Sequence, residues 1–281
     1  MTWTVLKLIQ WTEEYFKKHN VPNPRLDAEL LLSHLLKKKR IDLYLQFDAP
    51  LNQSELASFK ELVKRRIARE PLQHITQTQE FWSLPIKVTP DVLIPRQETE
   101  HIIEHALKLF NKDSLIQILD IGTGSGAIAA ALASEFQNAK ITATDISEKA
   151  LVVAKENLLQ FGDQIILKKT NLFDDIQGNF DLVVSNPPYV SKNDLDSMQS
   201  EVGNYEPHLA LFAGNDGLEI IKRIISGASR HLNPKGWLIV EFGYNQGGAI
   251  LSLINEETDY TNSAIHKDYS GNDRILTTQR K

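Results

Sequence analysis

Apolar residues recur at helical spacing through the first part of this chain. Leu8, Trp11 and Tyr15 form the first stripe, and similar stripes follow over the next 50 residues. Apolar positions three and four residues apart are typical of helices that bury one face against neighbouring helices. The pattern therefore predicts a small helical bundle domain over residues 1–72.

Residues 73–99 break this pattern. Pro85, Pro90 and Pro95 separate short β-like runs, such as those at 81–82 and 86–88. Prolines limit the chain to extended and turn conformations, and short β-like runs between turn residues favour a hairpin. We expect a linker that contains a β-hairpin.

From residue 115 onward, short apolar runs alternate with helical segments. Four of these runs precede the last third of the chain, at 116–120, 141–145, 165–170 and 180–185. A helix and a strand follow within 218–241, and then another helix and strand. This alternation is typical of a mostly parallel sheet with helices on both faces. The sequence predicts an α/β domain over residues 100–281.

Composition narrows the class of protein. The chain has 281 residues and no cysteine, which excludes disulfides, thiolate metal ligands and cysteine nucleophiles. Its eight histidines show no metal-binding spacing, so no metal is expected. We find no apolar run of about 18 residues and no signal peptide, so no membrane contact is expected and a cytoplasmic location fits.

Charge is unevenly distributed along the chain. Residues 1–80 contain 13 Lys and Arg against 10 Asp and Glu, whereas the remainder contains 18 against 26. An acidic surface binds a phosphate backbone poorly, so a nucleic-acid substrate is not expected. The basic runs at 37–40 and 64–66 are either solvated helix faces or contacts for an acidic partner.

A glycine-rich loop follows the first strand of the α/β region. Its candidate cofactor-binding residues are Gly122, Thr123, Gly124, Ser125 and Gly126. Glycines allow close approach to a ligand, and Asp145 at the end of the next strand can accept hydrogen bonds from ribose hydroxyls. A dinucleotide site has similar spacing. Asp120, two residues before the first glycine, and the lack of a second nucleotide-binding half favour S-adenosylmethionine.

The fourth strand ends in Asn186, Pro187, Pro188 and Tyr189. Ligands of open α/β sheets bind at the carboxyl ends of the strands. The Asn186 side-chain oxygen and the Pro187 carbonyl are two acceptors that can hold a planar NH2 group for in-line attack, and Tyr189 offers a flat face. The four residues are our candidate catalytic and substrate-binding groups, and they predict methyl transfer to an amide or amino nitrogen.

These motifs resemble known families. The sequence D-I-G-T-G-S-G resembles motif I of class I methyltransferases, and N-P-P-Y is shared by DNA adenine N6-methyltransferases and release-factor glutamine methyltransferases. Segments 71–76, 80–84, 93–100, 205–207, 213–218 and 241–247 are similar to the second family. Gln97 stands where that family usually has a proline. The resemblance covers nearly the whole chain.

The resemblance to the release-factor glutamine methyltransferases implies a Rossmann-like class I methyltransferase domain that uses S-adenosylmethionine. It implies methylation of the glutamine in the Gly-Gly-Gln motif of class 1 peptide chain release factors. The three loop glycines are expected to wrap the methionine part and Asp145 to hold the ribose. The remaining expected cofactor contacts are Ile146, Asn171, Leu172 and Asn186, with Asn171 at an often acidic position near the adenine.

Three questions stay open at this point. Arg96 either orients the linker, contacts substrate or makes an ordinary ion pair. An adenine N6-methyltransferase acting on nucleic acid is the alternative enzyme, although the 24 residues between Tyr189 and Gly214 are too few for a base-recognition domain. A non-catalytic partner-binding protein is a further alternative, against which the intact motifs argue.

Overall fold

The structure, a computed structural model, describes residues 2–192, 194 and 198–281. The chain divides into two compact units. One comprises Met1–Gln77 and Gln199–Tyr205, and the other comprises Thr78–Met198 and Glu206–Lys281. The sequence pattern suggested continuous ranges, whereas the helical unit also takes up a short segment from far along the chain.

The helical unit is built from amphipathic helices around one apolar core. Its helices are α1 (Val5–Lys18), α2 (Pro24–Leu36), α3 (Arg40–Leu45), α4 (Gln53–Ile67), α5 (Leu72–Thr76) and α9 (Ser200–Tyr205). Asn52 and Glu55 form a reciprocal capping box at the start of α4, with hydrogen bonds of 2.9 and 2.7 Å. Phe16, Leu31 and Phe59 are among the buried core residues.

The returning segment is held to the helical unit by ion pairs. Arg66 Nη1 lies 3.5 Å and Arg69 Nη2 lies 3.1 Å from Glu201 Oε1 in α9. Arg66 also donates to Asp27 at 2.7 Å, and both side chains are 6% exposed. A buried arginine between two carboxylates explains why α9 belongs to this unit.

The second unit is an α/β domain. A hairpin of β1 (Thr78–Phe81) and β2 (Leu84–Lys87) comes first. The seven strands of the main sheet are β3 (Gln117–Ile121), β4 (Lys140–Asp145), β5 (Ile165–Lys169), β6 (Phe180–Ser185), β7 (Leu232–Glu241), β8 (Tyr260–Lys267) and β9 (Asp273–Arg280). Their order is β5-β4-β3-β6-β7-β9-β8. Strands β3 to β7 are parallel, while β9 is antiparallel to both of its neighbours.

The mostly parallel sheet confirms the α/β prediction, with one difference. The sequence indicated one strand after the last helix, whereas the structure has two antiparallel strands there, β8 and β9. The helices are α6 (Glu100–Leu109), α7 (Ala127–Glu135), α8 (Glu148–Leu158), α10 (Glu219–Ala228) and α11 (Gly247–Glu256). In the part of the chain that the structure describes, no helix is long and apolar enough to cross a bilayer.

Both faces of the sheet are buried. Ile118 of β3 and Leu182 of β6 lie in the core formed with α6, α7 and α8. Their neighbours Leu119 and Val183 lie in a second core with α10 and α11. Because successive strand residues point to opposite faces, these strands read as continuous apolar runs. Their carboxyl ends leave the sheet at one edge, where the candidate site lies.

Candidate active site

The candidate motifs meet because their strands are neighbours. β3 pairs with β4 and with β6, and Ile121 is opposite both Thr144 and Ser185. The glycine loop, Asp145 and Asn186 each follow one of these paired positions. Parallel strands therefore deliver all three motifs to the same edge of the sheet.

A cavity opens at this edge. It is lined by nine of the predicted residues: Gly122, Gly124, Asp145, Ile146, Asn171, Leu172, Asn186, Pro187 and Pro188. The other predicted residues, Thr123, Ser125, Gly126, Tyr189 and Arg96, do not line it. The wall also includes Val92 and Leu93 from the linker and Leu209 and Phe212 beyond the N-P-P-Y segment.

Gly122 and Gly124 provide the open part of the glycine loop. Their φ angles are 73° and 56°, in the left-handed region that favours glycine. An ideal Cβ at either position would meet nothing within 4 Å, so the space beside this backbone is open to a ligand. The Gly124 N–H donates to Asp145 Oδ2 at 2.9 Å, which ties the loop to the end of β4.

The other three loop residues maintain its shape. Thr123 Oγ1 donates to Asp120 Oδ2 at 2.6 Å. The Ser125 carbonyl accepts from Asn157 Nδ2 at 2.8 Å. Gly126 is the N-cap of α7 with a φ of 82°, and a Cβ there would lie 3.1 Å from the side chain of Leu158. These residues orient the backbone without facing the cavity.

Two carboxyl groups, the half-buried Asp145 and the fully buried Asp120, give the loop its electrostatics. Burial raises the pKa of Asp145, although the N–H groups of Ser147 and Gly124 oppose the shift. Burial also raises the pKa of Asp120 to about 7, opposed by the Thr123 hydroxyl. Asp145 lines the cavity, whereas Asp120 is fully buried. Of the two carboxylates, Asp145 is therefore the one that a ligand can reach.

Ile146, Asn171 and Leu172 form the far side of the cavity, after β4 and β5. Ile146 is 48% exposed, an unusual position for a large apolar side chain, and it can cover a flat ring. Asn171 offers a neutral amide. Together with the open glycine backbone and the Asp145 carboxylate, these side chains fit the adenosine and methionine parts of S-adenosylmethionine.

Asn186 is anchored by its own amide group. Its Nδ2 donates to Thr99 Oγ1 at 3.0 Å, and the side chain is half-buried. Oδ1 is thus the Asn186 acceptor that remains for a ligand. The adjacent Pro187 carbonyl belongs to a residue without an N–H group, so no local donor competes for the same position.

Tyr189 is held away from the cavity. Its hydroxyl donates to Glu241 Oε1 at 3.3 Å, and its backbone carbonyl accepts from Gln246 Nε2 at 3.0 Å. Its ring packs against the core beside α10 and α11. These contacts position the N-P-P-Y segment from behind.

Arg96 makes an ion pair with the buried carboxylate of Glu206. Glu206 also accepts from the Ile94 N–H at 3.1 Å. The linker wall of the cavity is therefore joined to the wall that begins at Pro207. Of the roles considered for Arg96, the structure shows an ion pair.

Sequence reasoning missed several residues of this site. Thr99 lies in a predicted linker and Glu241 at a strand end, and no local pattern links either one to Asn186. Leu209 and Phe212 appear in the sequence as ordinary apolar residues. Only the segment similarities at 93–100 and 241–247 pointed to the neighbourhoods of Thr99 and Glu241.

Comparison with known proteins gives the same assignment. The family model described as "PrmC N-terminal domain" matches residues 7–76, and the model described as "Methyltransferase small domain" matches residues 102–202. The release factor glutamine methyltransferase of Geobacter sulfurreducens is 42% identical over 98% of this chain and 96% of its own length. The protein of the same name from Rhodopirellula baltica is 39% identical over 99% and 97%.

Solved structures agree on the fold. A ribosomal protein L11 methylase from Lactobacillus delbrueckii subsp. bulgaricus matches with a TM-score of 0.51 and 25% identity, over 70% of this chain and 85% of its own. A methyltransferase from Pyrococcus furiosus matches with a TM-score of 0.51 and 23% identity, over 80% and 98%. From the motifs, the cavity and the full-length relatives together, this chain belongs to the release factor glutamine methyltransferase family of S-adenosylmethionine-dependent enzymes.

Proposed function

We propose that this protein transfers a methyl group from S-adenosylmethionine to the side-chain amide nitrogen, N5, of a glutamine. The substrate is the glutamine of the Gly-Gly-Gln motif in class 1 peptide chain release factors. The observation that carries the proposal is the state of Asn186. Its NH2 group is engaged by Thr99, so its oxygen is left to accept from a substrate NH2 group at the wall of the cavity.

The chain's own residues have two tasks in this reaction. An amide nitrogen is a weak nucleophile because its lone pair is delocalised into the carbonyl. Asn186 Oδ1 and the Pro187 carbonyl accept hydrogen bonds from the substrate NH2 group and orient the nitrogen. The same two acceptors stabilise the positive charge that develops on it.

The cofactor is assigned to the opposite side of the cavity. Gly122 and Gly124 accommodate the methionine part, Asp145 accepts from the ribose hydroxyls, and Ile146 and Asn171 enclose the adenine with Leu172. Bound S-adenosylmethionine supplies an electrophilic methyl group. Thr123, Ser125 and Gly126 support this site through the loop conformation, and Pro188 and Tyr189 support the substrate side.

We assign substrate binding outside the cavity to the helical domain, predicted as residues 1–72 and extended in the structure by α5 and α9. The remainder of 73–99 is the linker, and the remainder of 100–281 is the methyltransferase domain. The support is that all cavity-lining residues lie in the α/β unit, which leaves the helical unit available for the release factor. Arg96 acts on substrate through the wall that it holds with Glu206. Release factors work on cytoplasmic ribosomes, so the activity belongs in the cytoplasm.

The direct test is mass spectrometry of a class 1 release factor after incubation with enzyme and S-adenosylmethionine. We expect a gain of one methyl group on the Gly-Gly-Gln peptide. A release factor with that glutamine replaced by alanine is the matched substrate control. Methylation of an adenine-containing DNA duplex, with none of the release factor, would overturn the proposal in favour of the nucleic-acid alternative.

Asn186 provides the residue-level test. We expect Asn186→Ala to lower the single-turnover rate on the order of 10²–10³-fold, because a preorganised acceptor is lost. Asn186→Asp keeps an acceptor but cannot donate to Thr99, so we expect strong impairment too. Cofactor affinity measured by calorimetry should stay near wild type in both. Wild-type rates in both variants would remove Asn186 from the catalytic site.

A further inference from the structure

Asn157 joins the hairpin linker to the glycine loop through one side-chain amide. It lies half-buried in α8. Its Nδ2 donates to the Ser125 carbonyl at 2.8 Å and to the Lys87 carbonyl at 3.0 Å. Its Oδ1 accepts from the Lys87 N–H at 2.8 Å. A side-chain amide has two N–H groups and one oxygen, so these three contacts use both donors and the acceptor together.

The three contacts determine the orientation of the Asn157 amide. If the amide were turned over, its oxygen would face the two carbonyls and its NH2 group would face the Lys87 N–H. Acceptors would then meet acceptors, and a donor would meet a donor. The Asn157 side chain therefore has one orientation in which the Ser125 and Lys87 groups are all satisfied.

On the linker side, Asn157 takes the place of a neighbouring strand. Lys87 is the last residue of β2, and within the described ranges the sheet of β1 and β2 has two strands. Two residues that face each other on antiparallel strands can exchange both N–H···O bonds, and Asn157 makes the same pair of bonds with the Lys87 backbone. Val88 is fully buried, and residues 91–93 line the cavity. The position of this cavity wall therefore depends on how Lys87 is held.

On the loop side, Asn157 binds a carbonyl that lies just before the hydrogen-bond ladder of α7. The Ala130 N–H donates to the Gly126 carbonyl at 2.9 Å, one residue beyond Ser125. Ser125 is buried, so its carbonyl requires a donor from within the protein, and Asn157 supplies one. The next residue of α8, Leu158, would lie 3.1 Å from a Cβ at Gly126. This part of α8 therefore packs directly against the loop.

We propose that Asn157 is a positioning residue that fixes the glycine loop and the linker wall of the cavity in one arrangement. The inference rests on the proposed cofactor site, since these are two of its walls. The full set of Asn157 hydrogen bonds forms only when both parts are in place. A cofactor that orders the loop must then also order Lys87, because the coupling between two sites is reciprocal.

The affinity test compares Asn157 with its neighbour Glu156, which contacts the same Lys87 through an exposed ion pair. We expect Asn157→Ala to raise the dissociation constant for S-adenosylmethionine on the order of tenfold, because the Ser125 and Lys87 groups lose their partner. Glu156→Ala should leave the dissociation constant almost unchanged, since exposed ion pairs contribute little. Calorimetry gives both values, and equal changes in the two variants would overturn the proposal.

Asn157→Asp separates the bridge from the linker contact alone. Its carboxylate can still accept from the Lys87 N–H, but it places an acceptor against the Ser125 and Lys87 carbonyls. We expect cofactor affinity to fall at least as far as in Asn157→Ala. Wild-type affinity in Asn157→Asp would show that the donors of the amide are not required, and it would overturn the bridge.

Hydrogen exchange at the Lys87 amide, measured by NMR, tests the coupling in the wild-type protein. We expect S-adenosylmethionine to slow this exchange severalfold, because the ordered loop holds Asn157 against Lys87. In Asn157→Ala the Lys87 amide should exchange faster and should not respond to the cofactor. The Gln117 amide is the control, since it donates to Asp181 at the start of β3, away from the cavity. A Lys87 amide that responds no more than Gln117 in the wild type would overturn the coupling.

The two proposals fail separately. If the wild-type protein binds S-adenosylmethionine but does not methylate the release factor, the proposed function is wrong, and the affinity and exchange measurements still decide on Asn157. If the release factor is methylated but neither cofactor affinity nor Lys87 exchange depends on Asn157, the positioning role is wrong and the methyl-transfer assignment stands. Absence of S-adenosylmethionine binding in the wild type would overturn both.

Discussion

Asp145 connects the two parts of the cofactor side. Its carboxylate accepts from the Gly124 N–H at 2.9 Å and from the Ser147 N–H at 2.8 Å, and it still lines the cavity. A carboxylate has about four acceptor positions, so two remain for a ligand. The residue thus both shapes the glycine loop and offers acceptors to a ribose.

We expect Asp145→Ala to weaken S-adenosylmethionine binding by about 1–3 kcal/mol, because hydrogen bonds to a charged acceptor are lost. Isothermal calorimetry measures the change. Glu148→Ala is the matched control, since its exposed carboxylate pairs with Lys169 and does not line the cavity. Equal affinity losses in the two variants would mean that net charge, and not the Asp145 contact, governs binding.

Asp120 allows a pH test of burial. Its pKa is raised to about 7, so the folded state binds a proton that the unfolded state releases near pH 4. The contribution of Asp120 to the free energy of unfolding is fully present below about pH 4. As pH rises towards 7 this contribution falls, by about 1.4 kcal/mol per pH unit. Asp120→Asn lacks this dependence and can still accept from Thr123.

We therefore expect the stability of Asp120→Asn relative to wild type to increase between pH 5 and pH 7 and to level off above it. Chemical unfolding at several pH values gives the comparison. A stability difference that is constant across this range would show that Asp120 is ionised at all of these pH values in the folded protein.

At the scale of elements, the approach to α10 supports the N-P-P-Y segment. Gly217 has a φ of 73°, and an ideal Cβ there would lie 2.2 Å from the Tyr189 carbonyl oxygen. Gln246 Nε2 donates to that oxygen and to the Gly217 carbonyl, at 3.0 and 3.3 Å. Three separate chain segments meet here without room for a methyl group.

We expect Gly217→Ala to displace the N-P-P-Y segment, lowering both the melting temperature and the methyl-transfer rate. Gly178→Ala is the matched control, because Gly178 has a φ of 88° and nothing within 4 Å of an ideal Cβ. Gly178→Ala should lower the free energy of unfolding by about 1–3 kcal/mol, because alanine is strained at this φ. It should leave the methyl-transfer rate of the folded enzyme unchanged. Equal effects of the two variants on rate would rule out the steric explanation.

At the scale of the whole molecule, one ion network determines how the chain is partitioned. The chain passes between its two units at residues 77–78, 198–199 and 205–206. The segment between the last two crossings carries Glu201, whose carboxylate faces Arg66 and Arg69. Arg66 also neutralises Asp27, whose pKa is raised by burial.

We expect Arg66→Met to destabilise the protein by about 3–5 kcal/mol, since the buried Asp27 carboxylate loses its partner and Glu201 keeps only Arg69. Arg65→Met should cost less than about 1 kcal/mol, because Arg65 is 44% exposed and pairs with Glu70 at the surface. Thermal unfolding of the two neighbouring variants decides between a structural network and a set of surface charges. Similar small losses in both would indicate that water replaces the Arg66 contacts.

A shortened chain can test whether the α/β unit binds the cofactor and the helical unit binds the release factor. All described residues that line the cavity lie in the α/β unit, so we expect a chain starting at Thr78 to keep cofactor affinity within a few-fold and to lose release-factor methylation. Circular dichroism should verify that the shortened chain is folded. Full turnover of release factor by the shortened chain would remove the helical unit from substrate binding.

The sequence by itself determined the alternation of strands and helices, the glycine loop and the strand-end residues Asp145 and Asn186. These follow from local physical rules, since periodicity reflects burial and glycine reflects backbone freedom. It also indicated the family, because its motifs lie in short contiguous segments. The sequence pattern indicated one strand where the structure has the antiparallel pair β8 and β9, although Ser270-Gly271 between them is a turn signal.

Tertiary structure alone decided the contacts between distant segments. Trp82 reads as part of a β-like run, yet it lies in the hairpin turn with a φ of 51°, where its indole donates to Glu135 at 2.8 Å. Gln199–Tyr205 joins the helical unit through a buried arginine contributed by α4. Thr99 accepts from Asn186 across 87 residues of sequence, and Glu241 accepts from Tyr189 across 52. Such partners are set by strand order and burial, which no local window of sequence contains.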